Sequence, residues 1–386
     1  PISYVFYRVN KILALFLFLF AQTLFPSGAA AQAPYAKALK AKRGAQGKLF
    51  KIPGVVASGI SLSSTGQAEI KVFVENDRVR GVPLVVDGIR VRQVVSGKFT
   101  AYQNRKQAKG GNKGKPGDGG GDGGGGGGGG ETVNDNPRTR FERAVPIGVS
   151  IGATSPNYCF AGTLGCRLRL VNFNTGTSTY FILSNNHVIA DENRAVPGVD
   201  LILQPGSLDN NCELRAEDII GTLHDYEPIQ FNGAPNTIDA AIAITTTAQT
   251  GFATPSTIYG APSSTSQPAA VGLSVKKFGR TTGLTEGVVD AINVDVNVGY
   301  DRGNAYFTDQ IIIEGRRRRG RKYVTASFSD GGDSGSLIVS SEGNDPVGLL
   351  FAGNSSYTIA NPIDAVLNRF SDAAAGNIMV VDDGSP

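Results

Sequence analysis

Between Lys109 and Glu131 the chain reads KGGNKGKPGDGGGDGGGGGGGGE. A stretch so dense in glycine has almost no side chain to bury and a large ordering entropy to overcome, so it predicts a flexible linker, bounded at 107–136. It divides the 386 residues into a small part, 34–106, and a large part, 137–386. Charge divides the same way. Residues 34–130 hold 17 Lys/Arg against 6 Asp/Glu, a net of +11, and residues 131–386 hold 18 against 27, a net of −9. Opposite signs allow intramolecular docking of 34–106 on the large part, and an unrelated anionic surface would suit the small part equally.

Ahead of both parts stand Arg8 and Lys11, the apolar run ILALFLFLFAQTLF (12–25) and the small-residue stretch PSGAAAQAP. A basic start, a short apolar run and small residues in that order read as a signal peptide, 1–31, cleaved after Ala31. The run is shorter than the roughly 20 residues of a spanning helix, so no stable membrane anchor is expected and the protein reads as secreted or periplasmic. Export permits disulfides, yet the chain has three cysteines, Cys159, Cys166 and Cys212, so one is left over in a monomer. Cys159 and Cys166 could close the small loop CFAGTLGC, or the thiols could pack as small hydrophobes. No CxxC pair occurs and the chain has two histidines, which argues against zinc; neither a metal nor a cofactor is expected.

The small part opens on YAKALKAKRG, a helix, and continues with GVVASGISLS, AEIKVFVEN and PLVVDGIRVRQVV, β-branched runs separated by turn residues. This predicts a small α+β domain. The large part reads as many short strands with turns between them, among them CRLRLVNF, TYFILSNN, DLILQPG, DAAIAITT, SVKKFGR, GVVDAINVDVNV, QIIIEG, KYVTASF, GSLIVS and VGLLFAG. Such spacing predicts an all-β sandwich or barrels. One helix is expected near the end, in NPIDAVLNRF, with Asn361 as N-cap and Pro362 first in the helix. EGRRRRGRK (314–322) reads as a solvated hairpin tip, so nucleic acid is not an expected partner.

The chemistry centres on SFSDGGDSGSLIV (327–339), which sets Ser334 among glycines directly before an apolar strand. A serine hydroxyl needs a base to take its proton, and the base needs an acid to fix its tautomer. His187, in TYFILSNNHVIAD, ends an apolar strand; His224 lies in the polar connection GTLHDYEPI. Asp239, in NTIDAAIAITT, precedes a strand of small apolar residues, and Asp225 is its competitor. Glycine at 332 suits a loop whose Gly332 and Ser334 amides point at one spot.

The blocks SNNHVIA, NTIDAAIA and GGDSGSLIV, in this order and separated by 52 and 95 residues, resemble the His, Asp and Ser blocks of trypsin-like serine peptidases of the chymotrypsin fold. KKFGRTTGLTEGVV (276–289) and GLLFAGN with ANPIDAVL are similar to its bacterial secreted and plant narrow-leaf-type branches. The resemblance spans about 145–370 and implies two antiparallel six-stranded β-barrels. It also implies His187 as general base and acid, Asp239 as its orienter, Ser334 as nucleophile, and Gly332 with Ser334 as the oxyanion hole. Asp333 would hold the loop, and Phe351, Ala352 and Gly353 would be an edge that pairs with an extended protein or peptide substrate. Phe328, six before the serine, would line the primary pocket, where an aspartate would have implied a Lys/Arg preference. No IVGG-like segment and no cysteine beside His187 occur. The function implied is a secreted serine endopeptidase, with a non-catalytic peptide-binding protein on the same fold as the alternative.

Overall fold

Short runs of valine, isoleucine and threonine fill this chain, and in the computed structural model nearly all of them extend and pair. The structure describes residues 29–101, 104–107, 135–155 and 158–385. Most of the expected leader (1–31) and of the expected glycine-rich linker (107–136) lies outside the described residues. Among the described residues no helix is long and apolar enough to cross a membrane.

Two sheets form, of nine and thirteen strands. The first sheet includes Cys166–Asn172, Thr177–Ser184, Ala241–Thr245 and Ile219–Tyr226 as consecutive neighbours, with Tyr158–Thr163 and Asn104–Gln107 at one edge. The second runs through Gly303–Arg319, Tyr357–Pro362, Pro346–Gly353, Leu337–Ser340, Ser274–Gly279 and Gly283–Tyr300. Buried Ile182, Leu183, Leu223 and Ile242 of the first sheet share one core cluster with Leu337 and Leu349 of the second and Ile363 and Val366 of the C-terminal helix. That shared core fixes the two sheets against each other, so a residue at the end of one can face a loop of the other. The mostly β architecture with a C-terminal helix is as expected. The count of six strands per barrel is not: strands from the N-terminal part extend both sheets, and neither is clearly closed.

That extension is made by residues 29–100 in the second sheet and by Asn104–Gln107 in the first. The helix Ala29–Leu49 is longer than YAKALKAKRG suggested, and it buries Ala38, Ala41, Ala45 and Leu49 at helical spacing over Val55–Leu62 and Ala68–Val74. PLVVDGIRVRQVV splits into Val85–Val86 and Ile89–Val95, because Asp87 and Gly88 both take positive φ in a tight hairpin turn. Val55–Leu62 then pairs antiparallel with Gly283–Tyr300, with Ala57 opposite Val296 and Ile60 opposite Ile292. Buried ion pairs cross the same seam. Lys42 donates to the Asn293 carbonyl at 2.6 Å and meets Asp295 at 2.8 Å, and Lys71 meets Asp290 at 2.6 Å.

Two local expectations change. Cys159 bonds to Cys212 and Cys166 is left as the buried free thiol, so the small CFAGTLGC loop does not close on itself. The last helix is Ile363–Arg369 with Pro362 in the N-cap position; Asn361 does not cap it, because its buried amide is held elsewhere. EGRRRRGRK forms a hairpin turned at Gly320, with its arginines exposed.

Removing one member of a buried ion pair leaves the other charge uncompensated. Lys42→Met is expected to destabilise the full chain by about 3–5 kcal/mol, read from denaturant midpoints. Adding Asp295→Leu to it is expected to recover part of that loss.

Candidate active site

Asp239 precedes the strand Ala241–Thr245, which is paired on both sides by Thr177–Ser184 and Ile219–Tyr226. Its carboxylate is 0% exposed, and an ionised group at that depth requires donors on both oxygens. Oδ1 accepts from the His187 backbone amide at 3.2 Å. Oδ2 lies 2.6 Å from His187 Nδ1 and accepts from the Tyr300 hydroxyl at 2.9 Å. Because a carboxylate only accepts, Nδ1 carries the proton of that contact, which leaves Nε2 as the basic nitrogen.

Local sequence explains how the imidazole reaches this place. The apolar strand Thr177–Ser184 ends at Asn185, whose side chain donates to the Asp239 carbonyl at 2.7 Å, and a single helical turn, Asn186–Ile189, follows. On the far side, Asn361 accepts from the Asp239 amide at 3.2 Å and donates to Gln310 at 2.7 Å. This is what holds Asn361 away from the helix end. His224 and Asp225, the alternative pair, stand apart from this cluster: His224 is exposed against Phe181, and Asp225 pairs with Arg369 at 3.0 Å.

Tyr300 was not singled out from the sequence, and it belongs to a different element from the histidine and aspartate. It ends the long strand Gly283–Tyr300, whose hairpin tip is gripped by Glu192. The Glu192 carboxylate accepts from the Asp301 and Arg302 amides, each at 3.1 Å, and its carbonyl accepts from the Arg302 side chain at 2.7 Å. Burial pushes the Glu192 carboxyl above its usual range, opposed by those amide donors. Burial, and then the negative charge of Asp239, push the Tyr300 phenol well above its usual range, so it remains a donor. Its ring stands edge-on to His187 at 5.9 Å.

Ser334 sits in the second sheet's loop, before Leu337–Ser340. Asp333 organises that loop from below: Oδ1 accepts from the Thr281 amide at 2.8 Å and the Thr282 amide at 3.1 Å, and Oδ2 from the Thr282 hydroxyl at 2.7 Å and the Asp330 amide at 2.9 Å. Lys277, fully buried, lies 3.6 Å from the same carboxylate; burial lowers its pKa, and Asp333 opposes that. From the first sheet, Thr163 donates its amide to the Ser334 carbonyl at 2.8 Å and its hydroxyl to the Gly332 carbonyl at 2.9 Å. Gly332 and Gly335 have φ of 97° and 94°, a region side-chain-bearing residues rarely enter. The Gly332 and Ser334 amides donate to no described residue. The Ser334 hydroxyl is 3.4 Å from the Phe351 carbonyl.

The remaining expected site residues are placed differently. Phe328 is 3% exposed and packs among Val289, Ile313, Ile338 and Val347, so its ring is core and not an open pocket floor. Phe351 and Ala352 also bury their side chains, Phe351 against Phe307 at 4.8 Å. Gly353 pairs with Thr358 on one side and with Thr100 on the other, so that edge is occupied.

Residues 244–360 match the family described as the Nal1 C-terminal domain, a stretch that includes Ser334 but neither His187 nor Asp239. Among solved structures, protease A of Thermobifida fusca is 20% identical, covering 62% of this chain and 99% of its own, with a TM-score of 0.39. Chymotrypsin of Cellulomonas bogoriensis is 18% identical over 62% and 99%, with a TM-score of 0.38. Nocardiopsis protease is 18% identical over 58% and 96%, also at 0.38. No curated protein matches.

A Cβ at position 335 would stand 2.3 Å from both the Ser184 hydroxyl and the Thr163 carbonyl, in addition to the strain of its φ. Gly335→Ala is therefore expected to cost more than the roughly 1–2 kcal/mol of left-handed backbone alone. Denaturant unfolding of the full chain measures it, and an unchanged midpoint would show that the loop is not wedged between the sheets.

Proposed function

We propose that this chain is a secreted serine endopeptidase that works through an acyl-enzyme on Ser334. The observation that carries the reading is the fully buried Asp239 carboxylate bonded to His187 Nδ1, an expensive arrangement whose benefit is a fixed, basic Nε2. In this reading Ser334 Oγ attacks a peptide carbonyl while His187 Nε2 takes the hydroxyl proton. The new negative charge on oxygen is met by the Gly332 and Ser334 amides. Collapse expels the amine, which takes the proton from His187, and water then releases the acyl group by the same steps reversed. Asp239, itself held by the Tyr300 hydroxyl, keeps the ring oriented with its Nδ1 proton in place while Nε2 gains and loses the other.

The domain plan belongs to the same proposal: a leader at 1–31 that directs export, an accessory part at 34–106, a linker at 107–136 and the peptidase part at 137–386.

A fluorophosphonate probe should label the folded full chain, and Ser334→Ala should abolish the labelling. Folded wild-type protein that never takes the label and leaves a broad peptide library uncut would contradict the proposal.

A further inference from the structure

The edge expected to receive a substrate already holds a strand. Phe99–Thr100 lies between two strands of the second sheet, parallel to Gly283–Tyr300 and antiparallel to Pro346–Gly353. Thr100 stands opposite Gly353, Phe99 opposite Val298, and the Ala101 amide donates to the Gly299 carbonyl at 3.0 Å. Asn354 fixes the approach, its side-chain amide donating to the carbonyls of Ser96 at 3.1 Å and Lys98 at 3.3 Å. The Phe99 ring is buried with Phe73, Val298, Phe307 and Phe351.

Both walls of this slot run directly into the candidate site. One step beyond Gly299 is Tyr300, whose hydroxyl reaches Asp239. Two steps back from Gly353 is Phe351, whose carbonyl faces the Ser334 hydroxyl. Since the pairing is antiparallel, the direction from Thr100 to Ala101 is the direction from Gly353 towards Phe351, so the strand advances on the nucleophile. Beyond it, Asn104–Gln107 pairs antiparallel with Tyr158–Thr163, with Asn104 opposite Ala161. That strand ends at Thr163, whose amide donates to the Ser334 carbonyl. The two strand-paired pieces therefore flank Ser334, one on each sheet.

We propose that this chain's own residues 96–101 and 104–107 occupy the cleft beside Ser334 as an internal ligand, with Phe99 filling its apolar slot. The proposal deepens the peptidase reading and rests on it for the role of Ser334. Backbone pairing supplies affinity with little dependence on side chains, so an added peptide competes with the internal strands and binds only where they yield. Such competition lowers the apparent affinity by the fraction of molecules in which the slot is open.

The test uses the full chain carrying Ser334→Ala, in which binding is read without hydrolysis, and a fluorescent peptide of residues 96–107, SGKFTAYQNRKQ. Asn354→Asp keeps the side-chain oxygen that accepts from Ser356 and Tyr357 but removes the donor to Ser96 and Lys98. With both hydrogen bonds to the internal strand lost, the peptide's Kd should fall about tenfold on Asn354→Asp. Phe99→Ala, which empties the apolar slot, should act in the same direction, and a scrambled peptide should not bind. Equal affinity in the Ser334→Ala parent and both folded variants, or no binding to any of them, would overturn the proposal. Restoring Ser334 in the Asn354→Asp chain separates the two readings: a peptide bound but left uncut contradicts the peptidase and leaves the internal ligand standing. Unchanged peptide affinity beside Ser334-dependent cleavage does the reverse.

Discussion

Asp239 is a charge placed where solvent does not reach, and the geometry around it follows from the need to satisfy that charge. An unpaired carboxylate at such depth would cost several kcal/mol, so its donors must be present and held. The His187 turn gives an amide and Nδ1 and Tyr300 gives its hydroxyl, while Asn185 donates to the Asp239 backbone carbonyl and Asn361 accepts from its amide. These partners belong to three stretches of chain, 185–187, Tyr300 and Asn361. The site can form only when the first sheet, the long hairpin and the C-terminal strand are all in place, which ties the candidate chemistry to the complete fold.

The serine loop meets the opposite requirement, space for backbone rather than compensation for charge. Gly335 is wedged between Ser184 and Thr163, and Gly332 takes a φ that side chains resist. Asp333 fixes the loop from the second sheet while Thr163 fixes it from the first. Glycine is thus required at these positions by contact as well as by conformation, and the loop's rigidity comes from bonds made to both sheets.

The His187 and Asp239 stretches, which the structure brings together, carry local signatures in the sequence: a strand ending in small polar residues and a carboxylate before a buried strand. Strand positions were legible from β-branched runs. Tyr300 and Glu192 were not, because nothing near them in sequence marks a bond made across 61 residues to Asp239, or a carboxylate that grips a hairpin tip. Asn361 was read as an N-cap from its neighbours, whereas a buried acceptor was needed more by Asp239 than by the helix. The linker-based division into two parts gave no hint that Val55–Leu62 joins the second sheet, since strand partners are chosen by edges and registers that sequence periodicity does not carry. Cys159 likewise bonds to Cys212 across 53 residues instead of its near neighbour.

The candidate chemistry depends on the His187 Nδ1–H bond to the buried Asp239 carboxylate. Proton NMR of protein labelled with nitrogen-15 histidine tests it directly, and with two histidines in the chain the assignment is simple. One strongly downfield ring proton is expected on His187 Nδ1, sheltered from solvent exchange and lost in Asp239→Asn. Absence of that resonance in the folded wild-type chain, or its persistence unchanged in Asp239→Asn, would contradict it.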